Sequence, residues 1–427
     1  MNVADSERIS RSMESLGLEQ TRQPDQADVI LLNTCVVRQS AEDKALGRLN
    51  SLKPLKQTNP NLTIALMGCL VGVQGNHALQ KRFPWVDVFA APSDPAPLLD
   101  HLRNKLVAEE AGDWRSKIDL ILDEEFGVSS PDGHRAVSEN LPIVLGCSHA
   151  CAYCVIPHRR GKERSRDANK IISEARQMVS EGVREVVLLG QIVDRYGLDL
   201  AESPHLPELL SLLNDIPELK RIRFLTSHPN WMTNELIDSV ATLPKVMPHI
   251  EVPIQAGDDG ILKTMRRGYS NEQYRALITN IRERVPGVSI GTDIIVGFPG
   301  ESEAAFQATY DLLADLKLDV AHLARYSPRP NTNSEKFLSD DVPAAEKMRR
   351  FRALEDLQEH LVADINNQFH GQIQPVLFEV KSKNRWRGRT PTNRLVYVES
   401  DENLHGQERP VKITWTGPWT LIGELAD

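Results

Sequence analysis

Cys147-Ser148-His149-Ala150-Cys151-Ala152-Tyr153-Cys154 holds three of the five cysteines in this 427-residue chain, separated by three residues and then by two. Three thiolates from one short loop can hold three corners of a cubane [4Fe–4S] cluster that would normally take four, leaving the last iron open to a small molecule. An open iron on a redox cluster is a catalytic device. The same thiols could instead hold zinc, with His149 or His158 as fourth ligand, although structural zinc sites usually pair two Cys-x-x-Cys-like clips. A disulfide is disfavoured. No leader-like segment and no apolar run long enough for a bilayer stand in the sequence, so a reducing cytoplasm and no membrane association are expected.

The length calls for two or three domains, and an apolar fraction of 41% is enough for real cores. A net charge of −9 excludes polyanion binding by bulk electrostatics, so any nucleic-acid surface has to be a local patch. Such a patch stands at 381–394, where Lys381, Lys383, Arg385, Arg387, Arg389 and Arg394 occur without an acidic residue and Trp386 sits among them. Cations around an aromatic suit phosphate contact with base stacking, and equally a solvated basic loop.

Outward from the cysteine loop, the pattern on both sides alternates strand and helix. Residues 1–105 read as an amphipathic helix through Leu16, capped by Asp5 or Ser6, followed by continuous apolar strands at Asp28–Asn33 and Leu62–Met67. Continuous apolar strands between helices imply a buried parallel sheet. Cys35 and Cys69 follow these two strands at the same edge, where open α/β sheets place ligands. Free cysteines are also commonly plain core. The acidic, turn-rich stretch 106–136 reads as a linker.

From 137 to 365, strands are expected at Ile143–Leu145, Glu185–Leu189, Arg221–Leu225, His249–Ile254, Val288–Ile295 and Ala321–Tyr326, with helices near 167–181, 205–214, 271–284 and 302–316. Six such units suggest a partial barrel, whose strand carboxyl ends face the active site. The cysteine loop follows the first strand. Polar ends follow the others: Gln191, Ser227-His228, Gln255, Gly297 and Tyr326-Ser327. Gln255 or His228 alone could simply be satisfying loop backbone. Residues 366–427 show short β-like runs at Gln374–Val380, Arg394–Val398 and Val411–Trp415, as in a small β-barrel.

The cysteine spacing, with Tyr153 before the third thiol and Cys154-Val155-Ile156-Pro157-His158-Arg159-Arg160-Gly161-Lys162 after it, resembles the radical S-adenosylmethionine (SAM) methylthiotransferase family. The resemblance extends over nearly the whole chain. Asn33-Thr34-Cys35 and Met67-Gly68-Cys69 match the family's amino-terminal domain. Leu188-Leu189-Gly190-Gln191, Thr226-Ser227-His228-Pro229, Pro253-Ile254-Gln255-Ala256-Gly257 and Asp293–Glu301 echo its radical SAM core. Gly388-Arg389-Thr390 with Asn393-Arg394 looks like the RNA-binding TRAM domain. The fold class this implies is α/β: an amino-terminal parallel α/β domain (1–110), a linker (111–136), a partial (β/α)6 radical SAM barrel (137–365) and a small carboxy-terminal β-barrel of the TRAM type (366–427).

By resemblance, Cys147, Cys151 and Cys154 hold the SAM-cleaving cluster, and Cys35 and Cys69 hold a second, auxiliary [4Fe–4S] cluster. Tyr153, Gln191, Gln255 and Glu301 bind SAM or position the base. The family's amino-terminal domain opens on a strand whose cysteine is a third auxiliary ligand; Met1-Asn2 matches the end of that segment, so a start further upstream is expected. Reductive SAM cleavage would give a 5′-deoxyadenosyl radical that removes hydrogen from adenine C2, and a methylthio group would follow. Leu189-Gly190-Gln191-Ile192-Val193 with Tyr196-Gly197 looks closest to the branch acting on prenylated adenosine 37 in a tRNA anticodon stem-loop, although that branch carries Asn at the place of Ile192 and Ser-Gly-Ser at the place of Ala256-Gly257-Asp258. Threonylcarbamoyl-adenosine or a ribosomal-protein aspartate would be the other substrates, and an iron–sulfur RNA-binding protein without catalysis the other class. The basic run favours RNA. A flavodoxin or ferredoxin is the expected electron donor.

Overall fold

The computed structural model describes residues 1–75, 77–105, 118, 136–201 and 204–426; the expected linker at 111–136 falls almost wholly outside them. Near the amino terminus, β1 (Val29–Thr34), β2 (Thr63–Gly68) and β3 (Val88–Ala90) form a parallel sheet in the order β1-β2-β3. Every residue of β2 is buried, as its unbroken apolar run requires. The first helix, Asn2–Ser15, starts earlier than the capping pattern suggests. Asp5 is no cap: it lies inside the first turn, 1% exposed, where it pairs with Arg160 at 3.3 Å.

The central body carries six parallel strands. Its first is β4 (Ser138–Pro142), not the apolar Ile143–Leu145. Pro142 ends β4, and the apolar residues after it turn into a short hairpin of β5 (Val144–Leu145) with β6 (Arg164–Ser165). β7 (Glu185–Leu189) and β8 (Arg221–Phe224) complete one sheet in the order β4-β7-β8. β9 (His249–Glu251), β10 (Ser289–Val296) and β11 (Val320–Arg325) form the other, with β10 central. A parallel bridge between Ile222 and Val246 joins the sheets into one curved wall. β9 is shorter than its apolar run because the Thr292 hydroxyl, rather than a backbone carbonyl, accepts from Ile254 N at 3.0 Å. Helices return each strand to the next, several started by side chains accepting from the first-turn backbone: Asp167, Thr233, Ser270 and Ser302. Their apolar faces and the strands share one continuous core.

The last domain is a closed barrel of five strands that follow the helix Ala344–Asn367. β12 (Ile373–Ser382), β14 (Leu395–Glu399) and β15 (Glu408–Thr416) overlap the expected runs. β13 (Arg385–Arg389) and β16 (Leu421–Leu425) were not legible as strands, one because it is mostly arginine, the other because Gly423 and Glu424 interrupt its apolar run. The barrel sits against the amino ends of the central strands. Arg221, the first residue of β8 and 1% exposed, donates to Glu408 at 2.7 Å and to the carbonyls of Arg389 and Pro375. Arg223 reaches the carbonyls of Thr390 and Pro391 and pairs with Glu185 at 2.8 Å. Among the described residues, no helix is long and apolar enough to cross a membrane.

Candidate active site

The cysteine loop leaves β5 through Gly146, whose φ of +68° no other residue would adopt cheaply; a Cβ there would lie 2.1 Å from the Lys162 carbonyl. This close approach lets Cys147 N donate to Gly161 O at 3.1 Å, while Ala152 N donates to Met265 O at 3.0 Å and Cys154 N to Cys151 O at 3.2 Å. Cys147 and Cys154 pack with Ile156, Ile192 and Trp231, and burial pushes their thiols up to about 11 and about 12. Cys151 is partly exposed, and Arg267 Nη1 lies 3.2 Å from its sulfur. Arg267 also reaches the Tyr153 hydroxyl at 3.5 Å and is held by Tyr269 and Pro253.

Three thiols with no carboxylate among them, two in an apolar pocket and the third beside a cation, suit an iron–sulfur cluster, and burial of the neutral thiols means that ligation would release protons. The zinc alternative would need one of two histidines beside the thiols. The His149 ring packs edge-on against His228 and Trp231, at centroid distances of 4.7 and 5.5 Å, and His158 is exposed.

The other expected cofactor residues divide. Tyr153 stacks edge-on against Phe298 and links the cysteine loop to Arg267. Gln191 follows β7 at the mouth, half-buried. Gln255 lies there too, in left-handed backbone at φ +75°, its N–H donating to Asp293 O and its carbonyl accepting from Ile295 N. Glu301 belongs to the frame instead. It accepts from Gly297 N at 2.6 Å and pairs with Arg350 at 2.7 Å, 4% exposed, so its carboxylate is already committed to the turn after β10.

Sequence reasoning missed a polar group between β7 and β8. Asp194 Oδ1, Ser227 Oγ, His228 Nε2 and His149 Nε2 are all buried without a hydrogen-bond partner. Asp194 Oδ2 accepts from His228 N at 2.8 Å, and His228 Nδ1 accepts from Asn230 N, which assigns the ring proton to Nε2. Burial raises the Asp194 carboxyl to about 7 and lowers His149 to about 4 and His228 to about 2, with Arg267 adding to the effect on both rings. The only sequence signal was the polar Ser227-His228 strand end. Asp194 gave none.

The amino-terminal pair occupies matching positions, Cys35 exposed after β1 and Cys69 buried after β2. Cys69 N donates to Thr34 O at 3.0 Å; burial raises its thiol, and Arg160 opposes that rise. Arg160 comes from the helix Ile156–Arg160 that follows Cys154, and it also donates to Asn2 and Ser93. A buried arginine therefore ties the two cysteine-bearing regions together.

The basic run needs the largest correction. Trp386 is no stacking platform: it is 5% exposed, in the barrel core, with Nε1 donating to Glu402 O at 2.8 Å. Carboxylates from outside the run meet its arginines. Arg385 pairs with Glu399 at 2.8 Å, Arg387 and Arg389 share Glu379 at 3.5 and 3.4 Å, and Arg394 pairs with Asp319 at 2.5 Å across the interface with the central body. Lys381 donates to Ser400 O, and Lys383 stands exposed at the β12–β13 turn. The barrel's exposed aromatics are Trp415 and Trp419, 50% and 60% exposed.

Comparison with known proteins accounts for all three regions. Residues 141–313 match the Radical SAM superfamily, residues 1–91 the uncharacterized protein family UPF0004, and residues 367–426 the TRAM domain. The tRNA-2-methylthio-N(6)-dimethylallyladenosine synthase of Roseiflexus sp. (strain RS-1) is 44% identical over 429 residues, covering all of this chain and 87% of the relative. The enzyme of the same description from Chloroflexus aurantiacus is 43% identical over 99% of this chain and 89% of its own length. That from Dehalococcoides mccartyi (strain CBDB1) is 44% identical, over all of this chain and 96% of the relative.

Proposed function

Because this chain belongs to the radical SAM family of tRNA-2-methylthio-N(6)-dimethylallyladenosine synthases, we propose that it adds a methylthio group to C2 of N6-dimethylallyladenosine at position 37 of tRNA. The observation that carries the proposal is whole-length likeness to these synthases, with the family's three-cysteine loop at the carboxyl ends of a parallel barrel. The likeness places this substrate ahead of threonylcarbamoyl-adenosine and of a ribosomal-protein aspartate. It also makes catalysis the better reading than RNA binding alone.

A cluster held by Cys147, Cys151 and Cys154, with SAM, would supply the hydrogen-abstracting chemistry, and a second cluster at Cys35 and Cys69, with a third ligand that no other cysteine of this sequence supplies, the sulfur. The chain's own residues would place and shield. Ile156, Ile192 and Trp231 exclude water around Cys147 and Cys154. Arg267 sets a fixed positive charge beside Cys151, and through Tyr153 and Tyr269 its position is rigid. Gln191 and Gln255 border the mouth where SAM and the base would lie. The Nε2–H of His228 offers a buried donor to whichever acceptor enters, since leaving it unmade costs about 1–3 kcal/mol. An unpaired loop base reaches such a recessed site cheaply. We place the protein in the cytoplasm, reduced by a flavodoxin or ferredoxin.

The test is nucleoside analysis of total tRNA from cells with and without the gene. Loss of the methylthio group with build-up of the prenylated nucleoside is expected. An unchanged methylthio level would overturn the substrate assignment.

A further inference from the structure

A cavity of about 380 Å³ opens where three segments meet: the loop after β2, the helix Ile156–Arg160 and the segment after β11. Its polar lining comes from Gln74, His158, Arg159, Asn331 and Lys336, with Gly72 and Gly75 on one wall and no carboxylate among the described residues. Arg159 donates to Leu70 O, and neither it nor Lys336 has a carboxylate within ion-pair distance among the described residues. This contrasts with the arginines of the carboxy-terminal barrel, which are neutralised by neighbours. Next to Lys336 stands Phe337, 74% exposed, on the short helix Asn333–Phe337.

The segment bearing both residues is held on two sides. Arg329, 3% exposed, bonds Gln39 and pairs with Glu42 on the helix Gln39–Thr58, and Ser334 N donates to Ala152 O at 2.8 Å within the cysteine loop. Val73 N donates to Arg159 O at 3.1 Å, closing the opposite wall. The cavity is therefore preformed, so a ligand entering it would not have to order its walls. It also lies at the seam between the two cysteine-bearing regions: Val71 is two residues beyond Cys69, and His158 four beyond Cys154.

We propose that this cavity holds a backbone phosphate of the RNA substrate between Arg159 and Lys336, while the Phe337 ring stacks an unpaired base flanking the target nucleotide. Unpaired cations beside an exposed aromatic are the pairing that single-stranded RNA recognition uses. A carboxylate-free cavity lined by two cations suits an anion, whereas an electron-donor protein would need a broad flat face. The proposal deepens the tRNA reading and rests on it.

The test uses the full chain with its clusters reconstituted and an anticodon stem-loop carrying prenylated adenosine, with Kd measured across a salt series. If the wild-type protein neither binds nor modifies this RNA, the functional reading itself fails. If it does, Lys336→Gln should lower the slope of log K against log salt by about 0.7, the value for one single-strand phosphate. Phe337→Ala should weaken binding about 5- to 150-fold at an unchanged slope. Both side chains are exposed, and equal iron content serves as the folding control. Wild-type affinity and slope in both variants would overturn the proposal. So would slower reduction by flavodoxin with RNA affinity intact, which would assign the surface to the electron donor.

Discussion

Cys151 is partly exposed and in contact with Arg267, outside the apolar group that holds Cys147 and Cys154, so it can be removed with little damage to packing. Cys151→Ala should abolish turnover and lower iron by about four per chain, on cubane stoichiometry, with the far-ultraviolet circular dichroism retained; measurable turnover would contradict the proposed chemistry. His228 gives a pH prediction. Its ring is held neutral in the fold, down to about 2, whereas an unfolded histidine gains its proton near 6.5. Below that pH the unfolded histidine binds the extra proton, so this ring's contribution to stability rises with pH by about 1.4 kcal/mol per pH unit. His228→Asn should lower the pH slope of denaturation midpoints by that amount between pH 6 and 4.5, leaving the like contribution of His149 and the opposing one of Asp194, and an unchanged slope would show that the ring is solvated. The three cysteines were legible because their spacing is itself the signal. Glu301 was not, because a carboxylate after a strand reads the same whether it awaits a ligand or is already taken by Arg350, a residue 49 positions away.

At the scale of elements, most strand positions and helices followed from periodicity, and Asn271–Arg284 falls where the pattern placed it. The failures share a cause. A strand that is half charge, such as β13, alternates inward Trp386 and Gly388 with outward arginines, and in sequence that alternation looks like a loop of cations. Only the closed barrel shows that Trp386 faces in and that Glu379 lies across from Arg387 and Arg389. Trp386→Ala should therefore cost the carboxy-terminal barrel about 3–5 kcal/mol, as other buried Trp truncations do, measured by chemical denaturation. Trp386→Phe should keep RNA affinity within a factor of about two, because an edge so deeply buried stacks no base; a large loss would restore the stacking role.

Across the whole molecule, two arginines on β8 fasten one domain to another. Arg221→Ala would leave Glu408 and two backbone carbonyls without their donor at a partly buried interface. The expected cost is about 3 kcal/mol, with a separate early transition for the carboxy-terminal barrel in calorimetry. A single unshifted transition would mean that the interface is held by other contacts. Arg160, Arg329 and the cysteine loop similarly join the first domain to the second. Long-range ion pairs of this kind leave no local trace in sequence, which is why domain content could be read and domain contacts could not.

The carboxy-terminal barrel is fastened at the amino ends of the central strands, and the cysteine mouth opens at their carboxyl ends. Strands of five residues such as β4 and β7 span roughly 17 Å, so the barrel and the mouth are held about a strand's length apart. Such spacing works as a ruler. Were an RNA to touch both the barrel and the mouth, a free nucleoside, or a loop cut away from its stem, would satisfy one jaw of the gauge and miss the other.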